Sequence, residues 1–110
     1  MSKPISRPYS QYSLSALELL GRLVREARLV KAMTTVDLAA RAGISRALLQ
    51  RIERGDPGCS IGAVFEVATI CGVPLFDPEQ RQLTNQLTLH REKLALLPKA
   101  VRVRKVKDDF

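Results

Sequence analysis

Apolar residues recur at helical spacing in five separate stretches of this chain, and each stretch is bracketed by residues that start or stop a helix. In the first, Ser15-Ala16-Leu17-Glu18 reads as a capping box, and Ala16, Leu20, Leu23, Ala27 and Val30 follow at spacings of four and three, predicting one buried stripe. Thr34 with Asp37 marks a second start, Met33 and Leu38 are placed for a hydrophobic staple across it, and Gly43 suits the stop. Ser45 caps a third helix, with Ile44 and Leu49 as its staple and Gly55 where a left-handed residue would close it. Asp56-Pro57-Gly58 makes a turn. Ser60 opens a fourth helix, which sets Ile61, Val64, Phe65, Ala68 and Cys71 on one face before Gly72 and Pro74 stop it. Asp77-Pro78 opens the fifth, where Leu83, Leu87, His90, Leu94 and Leu97 form a narrow seam ended by Pro98.

The flanks read differently. Residues 1–13 are polar, hold Pro4 and Pro8 and show no apolar period, which predicts a flexible arm. At the other end Val101 to Val106 opens with apolar and basic residues in alternation, a pattern that permits a short strand with one basic face. The expected fold is therefore all-α, four to five helices with no internal repeat. It divides into an arm over 1–13, a compact domain over 14–77, a C-terminal helix over 78–97 and a basic tail over 98–110.

Composition narrows this picture. A chain of 110 residues has room for one compact domain with tails, too little for a large enzyme active site. Its 45% hydrophobic content with 5% aromatic and no Trp fits a small core of aliphatic residues. No apolar run is long enough to span a bilayer and no leader-like segment opens the chain, so cytoplasmic residence beside the nucleoid is expected. The net charge of +7 suits a polyanionic partner. That excess sits in the tails: residues 13–77 carry eight basic and seven acidic groups, residues 78–110 eight and four. Cys59 and Cys71, the only cysteines, read as reduced thiols, Cys71 on an apolar face, and no metal cluster, cofactor loop or nucleophile-base set accompanies the one His. No catalytic residue, cofactor or metal is expected.

The window Thr35 to Arg54 carries the chemistry. Two short helices joined by so brief a turn must cross steeply, Ala39 allows close approach, and Gly43 supplies the positive φ of the turn. Leu38, Ala42, Ile44, Leu49 and Ile52 point inward, and everything else on the third helix is expected to face out. The outward set is Arg46, Ala47, Gln50, Arg51 and Arg54, with Glu53 the only acid. Arg can hold guanine O6 and N7, Gln can pair with adenine, and a methyl can meet that of thymine, all in the major groove of double-stranded DNA. Thr34 and Thr35 place amides and hydroxyls at the start of the second helix, where a backbone phosphate can be gripped.

From Gly21 to Asp77 the sequence resembles the Cro/cI-type helix-turn-helix domains, the Xre family, through Gly21, Arg28, Thr34-Thr35, Leu38-Ala39, Ala42-Gly43-Ile44-Ser45, Ile52-Glu53-Arg54-Gly55 and Cys71-Gly72-Val73. The resemblance implies a lambda-repressor-like fold, an Arg28–Glu53 ion pair bracing the motif, phosphate contact by Thr35, and Ser45, Arg46, Ala47, Gln50 and Arg51 facing DNA. Position 35 in that family is often Gln, which reaches phosphate and base, so a base contact does not carry over to the shorter Thr35. The remainder is similar to HipB-type antitoxins, through Val73-Pro74-Leu75-Phe76, Leu96-Leu97-Pro98-Lys99 and Asp108-Asp109-Phe110. That implies a homodimer repressing its own operon and binding a HipA-like kinase toxin, with Val101 and Val103 pairing between subunits and Phe110 docking on the partner.

Other uses of these residues stay open. The leucine seam can meet its twin or fold back on the domain, His90 within it can set register or lie exposed, and the basic tail can serve solubility alone. A stand-alone regulator without a toxin shares the same DNA chemistry. A protein-interaction module would instead turn the third helix toward an acidic protein surface.

Overall fold

The computed structural model describes residues 8–101 and 103, which form five helices and, among the described residues, no strand. They are α1 (Gln11–Val30), α2 (Thr35–Ala42), α3 (Arg46–Glu53), α4 (Ile61–Cys71) and α5 (Gln80–Ala95). The chain resolves into two compact units, one up to Leu75 and one from Phe76 onward.

In the first unit, α1 and α2 each pack against α3 and α4. The core between them is Val24, Met33, Leu38, Ala39, Leu49, Ile52, Val67 and Cys71. Leu38, Leu49, Val24 and Val67 are sealed from solvent, and burying an aliphatic side chain of this size contributes roughly 1.5–3 kcal/mol. All four helices thus anchor in one cluster.

The helix ends follow from side-chain chemistry that the sequence carries locally. Thr34 Oγ1 accepts from the Asp37 amide at 3.0 Å while the Asp37 carboxylate accepts the Thr34 amide, a closed capping box. Ser45 and Ser60 cap α3 and α4 by accepting from Leu48 and Ala63. Gly43, Gly55 and Gly72 all have positive φ where helices stop. At Gly43 the φ of 68° turns the chain out of the helix, and the Ile44 amide reaches back to the Ala39 carbonyl at 3.0 Å.

Several expectations need correction. Helix α1 starts earlier than the Ser15 box, at Gln11, capped by Ser10, so residues 11–13 belong to a helix and not to an arm; residues 1–7 lie outside the described residues. The buried stripe of α1 is Gly21, Val24 and Arg28, with Leu20 and Ala27 flanking it, whereas Ala16, Leu23 and Val30 are exposed. The reason is Gly21: a Cβ there would lie 2.5 Å from the Glu53 carbonyl oxygen and 2.6 Å from that of Ile52. The bare backbone lets the end of α3 sit directly on α1, and that contact sets which face turns inward. On α4 the buried residues are Val67, Ala68 and Cys71, while Ile61 is exposed. That helix is apolar nearly all round, so its own period cannot choose a face.

The second unit holds α5, which begins at Gln80 and not beside Pro78. Asp77 accepts the Glu79 amide at 2.9 Å in a turn ahead of the helix, and Glu79 supplies no side-chain cap. No residue of α5 is buried. Val101 and Val103 are exposed and lie in no strand, and the other positions of the expected strand, 102 and 104–106, lie outside the described residues, as does Phe110.

Candidate nucleic-acid interface

Helix α3 is held from one side. Leu49 and Ile52 are buried, Leu48 packs partly against the same core, and the Ser45 hydroxyl fixes the first turn. Leu48, in neither the inward nor the outward set, adds to the buried side.

The other side carries the sequence-predicted residues. Ser45, Arg46, Ala47 and Arg54 are exposed, and Gln50 and Arg51 are half-buried. Helical spacing puts Arg46 next to Gln50 and Ala47 next to Arg51 along one surface. Arg54, at the C-cap, ends the row, its amide given to the Gln50 and Arg51 carbonyls. The Ser45 oxygen is used as a cap acceptor, which leaves its hydroxyl proton for a partner.

Glu53, the one acid of α3, is withdrawn from this surface. Its Oε2 accepts from Arg28 Nε at 2.8 Å and its Oε1 from Arg28 Nη2 at 3.1 Å, and the two side chains keep only 7% and 8% of their exposure. The remaining Arg28 nitrogen donates to the Met33 carbonyl at 3.0 Å, immediately ahead of the Thr34 cap. One guanidinium thus ties the end of α3 to the start of α2. Its hydrogen bonds to Glu53 raise the Arg28 pKa above an already high value against the cost of burial, so the charge is permanent. No buried side-chain polar atom among the described residues is left without a partner.

At the start of α2, Thr34 is exposed and Thr35 half-buried. The capping box occupies the Thr34 and Asp37 amides, so of the amides expected to grip a phosphate that of Thr34 is taken; the Thr35 amide, joined by that of Val36, is a first-turn donor without an intrahelical acceptor and remains alongside the hydroxyls. Asp37 also places a carboxylate at this end.

Arg51 has a partner within the chain. It is not a loose outward donor: its Nε donates to Asp56 Oδ2 at 2.8 Å. The hydrogen bond from Arg51, reinforced by the Gly58 amide, holds the Asp56 carboxyl below the usual carboxylate range. Sequence reasoning took Asp56 as a turn former only. An acid five residues beyond an outward Arg, followed by glycine, was the available signal.

A family model described as a helix-turn-helix domain matches residues 19–83, more than half of the chain, and the match contains α2, α3 and everything that braces them. The chain belongs to this helix-turn-helix family. No curated protein matches the sequence closely enough to count as a relative. The structure of this helix-turn-helix DNA-binding protein holds, among the described residues, no cluster of three metal-ligating side chains and no helix long and apolar enough to cross a membrane. Cys59 and Cys71 are both unpaired by disulfide, half-buried and buried respectively, and burial pushes both thiols up.

Proposed function

We propose that this protein is a dimeric, sequence-specific transcriptional repressor that lays α3 in the major groove of operator DNA. The observation that carries the reading is the sorting of charge on α3. Its acid is turned inward and neutralised by Arg28, while Arg46, Ala47, Gln50, Arg51 and Arg54 line the side away from the core. Arg46, Gln50 and Arg51 address base edges, Ala47 meets a thymine methyl, and Ser45, Thr34, Thr35 and Arg54 hold the backbone. Two copies reading two half-sites occupy a promoter and block its use.

Selection of bound duplexes from a random pool, then titration with variants, tests this. Arg46→Ala should weaken binding to the selected site by roughly 1–3 kcal/mol and relax the preference at one position. Unchanged recognition by that variant would refute the groove assignment. A protein that retains no preferred duplex but captures an acidic protein would favour the interaction-module reading.

A second reading adds a toxin partner. The described part of the tail presents Val101 and Val103 exposed among basic residues, which suits a docking segment, and the similarity to HipB-type antitoxins supplies a kinase toxin as its occupant. Deleting residues 98–110 should then abolish copurification of such a kinase and leave the melting of the helical domain unchanged. A truncated chain that still holds the kinase removes the tail from the interface.

A further inference from the structure

Beyond α3, Asp56 stands between the turn and the groove-facing side chains. Its Oδ1 accepts the Gly58 amide at 2.7 Å, which pins the carboxylate to the turn, and its Oδ2 accepts a hydrogen bond from Arg51 Nε at 2.8 Å. Gly58 completes the arrangement: a Cβ there would come within 3.2 Å of both the Arg51 Nη2 and the Asp56 Oδ1. The pair is 42% and 34% exposed, and ion pairs in that setting contribute little to stability. What the contact does is fix a direction. An arginine stem has many rotamers, and capture of Nε, the donor nearest the stem, removes most of them; Nη2 lies beside Gly58, and the terminal amino groups keep N–H protons for a partner.

We propose that Asp56 is a positioning residue for sequence recognition, holding Arg51 so that its terminal N–H groups address one guanine-bearing base pair. This rests on the groove reading above and deepens it. An acid beside a DNA-facing surface would by itself weaken binding to every duplex alike. A positioning acid does something different: it concentrates its effect at one base pair, through Arg51.

The test compares wild type, Asp56→Asn, Arg51→Ala and the double variant on the selected duplex and its single-base-pair variants, with circular dichroism melts of each. Asparagine keeps an oxygen for the Gly58 amide and loses the charge that holds Nε. The expected result is that Asp56→Asn lowers discrimination about tenfold at the base pair where Arg51→Ala lowers it, and changes nothing further in the Arg51→Ala background. Arg51→Lys, which leaves the turn untouched and loses the planar fork, should give the same local loss. Tighter binding of Asp56→Asn to all duplexes with discrimination intact would overturn the proposal, as would a loss that persists without Arg51. A preference that depends on Arg46 and not on Arg51 overturns this inference alone, whereas a wild-type protein with no preference overturns the groove reading and this inference with it.

Discussion

Arg28 and Glu53 show how a single pair can decide what a surface looks like. Left unpaired, Glu53 would set a negative charge amid the arginines of α3; bonded through both oxygens to Arg28 and turned inward, it sets none. Removing one partner strands the other in a site with almost no water. Glu53→Gln should therefore lower unfolding free energy by roughly 3–5 kcal/mol in denaturant titrations, whereas an Arg28→Met, Glu53→Leu double variant should recover most of that loss. Equal cost for the single and double variants would show that packing, not the stranded charge, is what matters. Asp56 makes a pH prediction of the opposite kind. Its folded value lies below the ordinary 3.8, because it accepts from Arg51 and the Gly58 amide. The stability it contributes is thus present above that ordinary value and fades only as pH falls through the lower folded one. A carboxyl carbon titration by NMR should place its midpoint below 3.8, and Asp56→Asn should leave the neutral-pH melting point nearly unchanged. A midpoint at or above the ordinary value would contradict the Arg51 contact.

At the level of helices, the sequence is legible where the chemistry is local. Thr34 with Asp37, Ser45, Ser60 and the stops at Gly43 and Gly72 act through near neighbours in the chain, and each is found where those neighbours predict it; Gly55 also stops its helix but lies against the backbone of Glu18 on α1. The face that a helix buries is not local. Gly21 and Arg28 interrupt the apolar period of α1, and only the family resemblance points to the Arg28–Glu53 pair; they lie on its buried side because the backbone of α3 and the carboxylate of Glu53 come to them. What the sequence does not show at Arg51 is its partner: Asp56, five residues on, reads as a turn former until the turn brings its carboxylate back to Nε. Two glycine substitutions separate the local effect from the tertiary one. Gly43→Ala meets no neighbouring atom, so it suffers only a left-handed backbone and should cost about 1–2 kcal/mol. Gly21→Ala improves helix propensity but drives a methyl into two backbone carbonyls that cannot rotate away, and should cost about 3 kcal/mol, the upper end of what overpacking costs and more than Gly43→Ala. Chemical denaturation of the two variants checks the order; a Gly21→Ala protein as stable as wild type would mean that α1 and α3 do not approach as described.

On the scale of the whole molecule, the nearly balanced charge of residues 13–77 leaves affinity to geometry, and a single short reading helix offers few phosphate contacts. Doubling the reader is the economical remedy, and α5 is suited to it. Leu83, Leu87, His90 and Leu94 repeat at four and three, the spacing of a two-helix seam; Leu97, expected to extend it, lies past the end of the helix at Ala95, and no residue of α5 is buried within one chain. A helix of 16 residues is marginal in water by itself. If a second copy supplies its partner, helicity and association must rise together. Replacing Leu87 and Leu94 with Asp should then yield a monomer by sedimentation, with lower helical content but an unchanged melting transition for α1 to α4. The monomer should bind a single half-site as wild type does when each copy is counted alone, yet lose its advantage on the paired operator. Its salt dependence there should also fall to about half the wild-type slope, because each phosphate contact contributes a slope of about 0.9 and half of them are gone. A variant that remains dimeric with the full slope would place the subunit contact away from the leucine seam.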